Sequence, residues 1–255
     1  AGATIQITGN YLGGEDILAF ADTADITASW NVNTGTLSLN GIATVAEYKA
    51  ALRSVTYKNN SDDPSVSQRT VSFSVNDGYT SSEAGTRMID MTAANDASEV
   101  ANIEASALDY TENDAATAVS STITLADADD AQLESATVQV SGNYANGEDM
   151  LAFADTDDIS ASWDASTGTL SLSGTASVAD YQEALRSVTY ENSSDDPSTA
   201  HRSVSFSVND GDTSSNAGIR TIDMTGVNDA SEVTNLEASA LDYTENDAAT
   251  AVSSS

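Results

Sequence analysis

The thirteen residues DYTENDAATAVSS occupy 109–121 and return unchanged at 242–254. They belong to a longer self-similarity. ATIQITGNYLGGEDILAFADT, from Ala3, matches ATVQVSGNYANGEDMLAFADT, from Ala136, which sets a period of 136 − 3 = 133 residues. The match runs without a gap from 3–122 onto 136–255, and 32 of those 120 positions differ. Whatever one copy folds into, the other therefore folds into as well. Two full periods need 2 × 133 = 266 residues against the 255 present, and the 11 that are wanting correspond to ITLADADDAQL at 123–133. The chain reads as a window on a tandem array. Residues 1–96 are a repeat without its N-terminal strands, 97–229 a complete repeat, and 230–255 the N-terminal strands of a third.

Inside the complete repeat, apolar residues alternate with polar ones, the pattern of half-buried strands. Val138 and Val140 point one way, as do Ile159, Ala161 and Trp163, then Leu170 and Leu172. Val204, Phe206 and Val208 follow with serines on the opposite face, and then Ile222 and Met224. Turn signals separate these runs: NG at 146–147, STG at 166–168 and NDG at 209–211. Short strands joined by hairpins predict an all-β fold, an antiparallel β-sandwich in each repeat. One short helix interrupts the pattern in SVADYQEALR, where Val178, Tyr181 and Leu185 share a face. Ser177 with Asp180, and Thr44 with Glu47 in the first repeat, have the spacing of a capping box. The helix is expected to close an open end of the sandwich.

Eight basic residues stand against 40 acidic ones, a net charge of −32, which excludes nucleic acid and anionic membrane surfaces as partners. Disorder does not fit either, because the 40% of hydrophobic residues are periodic rather than depleted. The chain has no cysteine and no apolar run long enough to insert in a membrane. Catalysis has little to build on. The one histidine, His201, is matched by Gln68 in the other repeat, and the plentiful hydroxyls have no base beside them in sequence. Paired acids such as Glu148–Asp149 and Asp195–Asp196 sit in turns and are read as solvated, so no enzyme is expected. Trp30 and Trp163 alternate with Ile and Ala on one strand face, which assigns them to the core rather than to sugar stacking.

The acidic residues make better sense as calcium ligands, since calcium gathers six to eight oxygens from separate segments. LADADD offers Asp127, Asp129 and Asp130 after a strand, and TEND offers Glu112. The repeat boundaries offer Asn95–Asp96 and Asn228–Asp229. An EF-hand is excluded, because DADDAQ lacks glycine at its sixth position. NDG at 209–211 is read as a hairpin turn instead.

The order Asn-Asp, then Glu 16 residues on, then Asp-x-Asp 15 further on resembles the cadherin family. WDASTGTLSLSGTASVADYQEALRSVTYENSSDDPS and RSVSFSVNDGDTSSNAG are similar to the bacterial cadherin-like tandem repeats of giant secreted adhesins of the RTX, type I-secreted kind. The linker lacks the proline that often follows it in cadherins, and the mid-domain Asp-Arg-Glu set has no clear counterpart. The resemblance implies that Asn95, Asp96, Asp127 and Asp129 bind Ca2+ at the first junction. It implies that Glu112 joins Asn228 and Asp229 at the second, with Glu245 repeating Glu112 in the third copy. It further implies a calcium-stiffened extender on the cell surface or outside the cell, whose partners are neighbouring repeats. The alternative is a filament subunit in which 230–255 of one copy completes 1–96 of the next by strand addition.

Overall fold

The structure is a computed structural model that describes residues 1–231, 233, 239, 241–246 and 248–252. The described residues are all-β with two short helices. The first group of elements is β1 (Gly2–Gly9), β2 (Asp16–Ala19), β3 (Ile26–Asn31), β4 (Thr36–Gly41), α1 (Val45–Ser54), β5 (Thr56–Asn59), β6 (Arg69–Asn76) and β7 (Gly85–Ile89). The second opens with four strands that have no counterpart in the first: β8 (Glu99–Ala101), β9 (Leu108–Thr111), β10 (Thr117–Ala118) and β11 (Thr124–Ala126). It continues with β12 (Gln132–Gly142), β13 (Asp149–Ala152), β14 (Ser160–Asp164), β15 (Thr169–Ser177), α2 (Val178–Ser187), β16 (Thr189–Asn192), β17 (Arg202–Asn209) and β18 (Gly218–Thr225).

In the second group a six-stranded sheet runs β14-β15-β12-β17-β18-β9, and a three-stranded sheet runs β10-β16-β13. The alternation sets the register. On β12, Val138 lies opposite Leu170 of β15 on one side and Phe206 of β17 on the other, and all three are buried. The sheets meet face to face. Tyr110 of the larger packs edge-on against Tyr190 of the smaller, with ring centroids 5.1 Å apart and planes at 83°. Among the described residues the antiparallel expectation has one exception, since β9 pairs with β18 in parallel. β9 comes from the start of the repeat and β18 from its end, so no hairpin joins them and antiparallel pairing is not imposed.

Both helices carry the expected capping box. The Ser177 hydroxyl accepts from the Asp180 N–H at 3.1 Å, and the Asp180 carboxylate accepts from the Ser177 N–H at 3.2 Å. Tyr181, Ala184 and Leu185 form the buried stripe of α2, which packs on β11, β12 and β15. The STG turn closes with Gly168 at φ +65°, where a Cβ would come within 2.8 Å of the Tyr144 ring. Trp163 is half-buried rather than enclosed, with its ring 6.2 Å from Tyr144, and Trp30 repeats this with Tyr11 at 6.3 Å.

Asp149 departs from the solvated-turn reading. It opens β13 in the core, ion-paired to the Arg202 Nε at 3.0 Å, with both side chains fully buried. Its carboxylate also accepts from the Tyr190 hydroxyl at 2.5 Å, Asn192 Nδ2 at 2.7 Å and the Ala145 N–H at 2.7 Å. A buried carboxylate survives only with such company. Asp16 and Arg69 repeat the pair at 3.0 Å in the first group. The expected strands of a third repeat at 230–255 lie partly outside the described residues, and the described ones form no strand. No helix among the described residues is long and apolar enough to cross a membrane.

Candidate metal centres

Two acidic sites lie at the two ends of the second group of strands. The first is built where β11 runs out. Asp127 follows Ala126, and the chain turns back so that the N–H groups of Asp129 and Asp130 donate to its Oδ1 at 3.2 and 2.8 Å. Ser98, buried just before β8, donates its hydroxyl to the other oxygen at 2.6 Å. This turn places one carboxylate oxygen each from Asp127, Asp129 and Asp130 within 4.8 Å of one another. The linker reaches the same spot, for the Asp96 N–H donates to the Asp129 carboxylate at 3.2 Å. Asn95 donates to Asp210 at 3.0 Å and to the Thr213 hydroxyl at 2.9 Å.

Asp210 is the residue that sequence reasoning passed over. NDG does make a turn, with the Asp210 N–H donating to Thr213 O at 3.3 Å. The turn nevertheless aims its aspartate at the linker, where it meets Asn95 from 115 residues away in sequence (210 − 95). Its one sequence signal is that Asn-Asp here repeats the Asn-Asp of the linkers. Asp63, from the SDDP turn of the first repeat, is also near enough to act on Asp130.

The charges in this site are in conflict. Partial desolvation raises the Asp130 carboxyl above its ordinary value, and Asp127, Asp210, Asp212 and Asp63 raise it further by repulsion. Asp129 is raised as well, by desolvation and by its neighbours Asp127 and Asp130, despite the bond from the Asp96 N–H. Asp127 runs the other way. Its desolvation is outweighed by the bonds from Ser98, Asp130 and Asp129, which hold it below the ordinary carboxylate value. Asp210, desolvated but bonded by Thr213, Asn95 and Asp212, is held down to about 2. At neutral pH such a cluster is anionic and self-repelling, and a cation would relieve it.

The second site centres on Glu112. The Thr111–Asp114 turn carries it, with Asn113 in the left-handed region at φ +66°. The Thr111 N–H donates to the Asp114 carboxylate at 2.9 Å, and the Tyr110 hydroxyl donates to Asp114 O at 2.6 Å. The Glu112 N–H extends the ladder to Thr225 O at 2.9 Å, which sets the side chain beside Gly226, where a Cβ would sit 3.6 Å from Oε2. Glu112 is 4% exposed, and its Oε1 has no hydrogen-bond partner among the described residues. Asn228 and Asp229 follow two and three residues after Gly226; both are exposed, and Asn228 donates to Asp229 O at 3.0 Å. Glu245 is exposed in a turn. The structure thus groups Asn95, Asp96, Asp127 and Asp129 at one end and sets Glu112 near the second linker at the other.

No protein-family profile matches the chain. A 109-residue stretch is 35% identical to Halomucin of Haloquadratum walsbyi, covering 40% of this chain and 1% of that protein. The chain therefore spans about a hundredth of that relative's length. Among solved structures, the C-terminal domain of the Streptococcus pyogenes antigen I/II-family protein AspA aligns over 86% of this chain and 84% of its own, at 12% identity and TM-score 0.24. Extracellular cadherin domains 1–5 of protocadherin gamma B2 align over 85% of this chain and 34% of their own, at 11% identity and TM-score 0.27. Superpositions this loose make neither protein a guide to the role of this chain.

Proposed function

We propose that the chain is a calcium-stiffened extender, a structural region of a large secreted adhesin or surface fibre that holds a binding domain away from the cell. The observation that carries this reading is the buried Glu112 carboxylate. A desolvated carboxylate with an oxygen lacking any donor is costly, and a hard cation supplies the missing positive charge. The donor set fits calcium rather than a softer metal, being all oxygen, with carboxylates, an amide and backbone carbonyls near the linkers.

Asp96, Asp127, Asp129, Asp130 and Asp210 would hold the cation at the first junction, and Glu112, Asn228 and Asp229 at the second. Bare, each junction repels itself and its linker is free to bend; with the charge neutralised, the linker is tied to the body of the repeat. Serial repeats joined in this way make a stiff rod. The strong acidity keeps such a rod soluble and apart from its neighbours.

Calorimetric titration of calcium into the 255-residue chain tests the reading, beside Glu112→Gln and the double change Asp127→Asn with Asp129→Asn. Saturable binding, reduced in each variant, is the expected result. A chain that takes up no calcium at millimolar concentration rules the extender mechanism out.

A further inference from the structure

The sequence holds four Asn-Gly or Asp-Gly pairs, beginning at Asn40, Asp77, Asn146 and Asp210. Glycine has no side chain to shield its backbone nitrogen, so the side-chain carbonyl carbon of the residue before it can close on that nitrogen as a succinimide. Closure needs a backbone free to turn, an unengaged glycine N–H and an unengaged side chain.

Three of the pairs fail these conditions. The Gly78 N–H donates to Asn76 Oδ1 at 2.7 Å, and the Gly211 N–H to Asn209 Oδ1 at 2.9 Å. The carboxylates of Asp77 and Asp210 are engaged as well, by the N–H groups of Tyr79 and Thr80 and of Asp212 and Thr213. Asn40 and Gly41 lie in β4, opposite Thr27 and Ile26 of β3. A Cβ on Gly41 would stand 1.8 Å from Asp25 O, so the backbone there has no room to turn.

Asn146–Gly147 meets all three. The pair forms a turn outside every strand, closed by the Glu148 and Asp149 N–H groups, which donate to Ala145 O at 3.1 and 2.9 Å. Asn146 is exposed, and neither its side chain nor the Gly147 N–H has a hydrogen-bond partner among the described residues. Gly147 has φ +88°, as the third residue of a type II turn requires, and nothing lies within 4 Å of where its Cβ would be. The first repeat has Gly13 in place of Asn146, which confines the feature to the second.

We propose that Asn146 is a site of spontaneous deamidation, by which the second repeat alone ages. The Gly147 nitrogen bonds to Asn146 Cγ and gives up its proton; the Cγ–Nδ2 bond breaks and ammonia leaves with that proton. Water then opens the succinimide at either carbonyl, leaving aspartate or isoaspartate, with nothing oxidised or reduced. Isoaspartate routes the main chain through the side-chain methylene and so lengthens the turn. The turn cannot lengthen freely. Ala145 is tied at both ends, its N–H donating to the Asp149 carboxylate at 2.7 Å and its carbonyl accepting from the Asp149 N–H. Asp149 is in turn the buried ion partner of Arg202. The isoaspartyl product therefore strains the turn that positions the buried pair, and the second repeat loses stability.

Peptide mapping by mass spectrometry of the 255-residue chain, incubated in mildly alkaline buffer folded and in urea, tests the site. In the folded chain Asn146 is expected to convert about tenfold faster than Asn40 or more, and in urea, where the strand no longer protects Asn40, at a comparable rate. Urea unfolding of the aged chain, read by Trp163 in a Trp30→Phe background, is expected to show a lowered midpoint for the isoaspartyl fraction. Asn146→Gly, which copies the first repeat, is expected to fold normally and to keep its midpoint through the same incubation. An Asn146 that stays intact in the folded chain while it converts in urea overturns the proposal. So do equal rates at Asn40 and Asn146 in the folded chain. An unmoved midpoint in chain carrying isoaspartate at 146 overturns the link to the buried pair.

Discussion

Replacing Glu112 by glutamine reverses its effect on stability according to whether calcium is present. The side chain is 4% exposed and its Oε1 has no donor among the described residues, so without a cation the fold carries a buried, uncompensated charge. Such a charge costs several kcal/mol even after the surroundings relax. Glutamine keeps the shape and removes the charge, but it leaves a desolvated amide worth about 1–3 kcal/mol of penalty. In chelator the variant therefore gains, by about 1–3 kcal/mol on balance, or roughly 3–10 °C in Tm for a repeat of this size. In calcium the sign turns. Ligand at about a hundredfold over its Kd stabilises the wild type by about 2.7 kcal/mol, and the variant forfeits most of that. Thermal unfolding of both proteins in both media gives four melting points and one crossing. Destabilisation of equal size in calcium and in chelator would show that Glu112 is an ordinary packing residue, and the reasoning would fail.

Asp149→Ala leaves Arg202 buried without its ion partner and is expected to destabilise the second repeat by about 3–5 kcal/mol, read by urea unfolding with Trp163 as the reporter in a Trp30→Phe background. Glu104, desolvated but bonded by Ser120 and Ser121 and ion-paired to Arg220 at 3.0 Å, has its carboxyl held at about 2. A depressed carboxyl contributes in full above its ordinary value and loses that contribution as pH falls from about 4.5 towards about 2. Melts across that window are expected to drop more steeply for the wild type than for Glu104→Gln. Ser177→Ala removes the cap of α2 and should cost about 1 kcal/mol by chemical denaturation, with calcium making no difference.

What could be read from the chain is what short-range chemistry governs. Alternation placed Val138, Leu170 and Phe206 on one inward face because a strand has a period of two, and Ser177 with Asp180 marked the helix start because capping needs only three residues of spacing. The Asp149–Arg202 pair was not legible. Its members are 53 residues apart, and an acidic residue in GED looks the same in a turn as in a core. The parallel strand β9 was hidden for a similar reason, since pairing between the first and last strands of a repeat leaves no turn signal. At the first junction, the acidic run of LADADD and the cadherin-like order of the ligand residues proposed Asp127 and Asp129, but Asp210 comes to the linker through tertiary folding of a turn that is unremarkable in sequence.

The central claim is that cations hold the repeat junctions. It is tested most directly by the melting temperature of the intact 255-residue chain in millimolar calcium and in chelator, at the same ionic strength. The account predicts a large upward shift with calcium, matched only in small part by magnesium, which dehydrates reluctantly and prefers fewer protein ligands. Equal melting points in calcium and chelator would contradict it, and the acidic residues at both junctions would then be solvated surface.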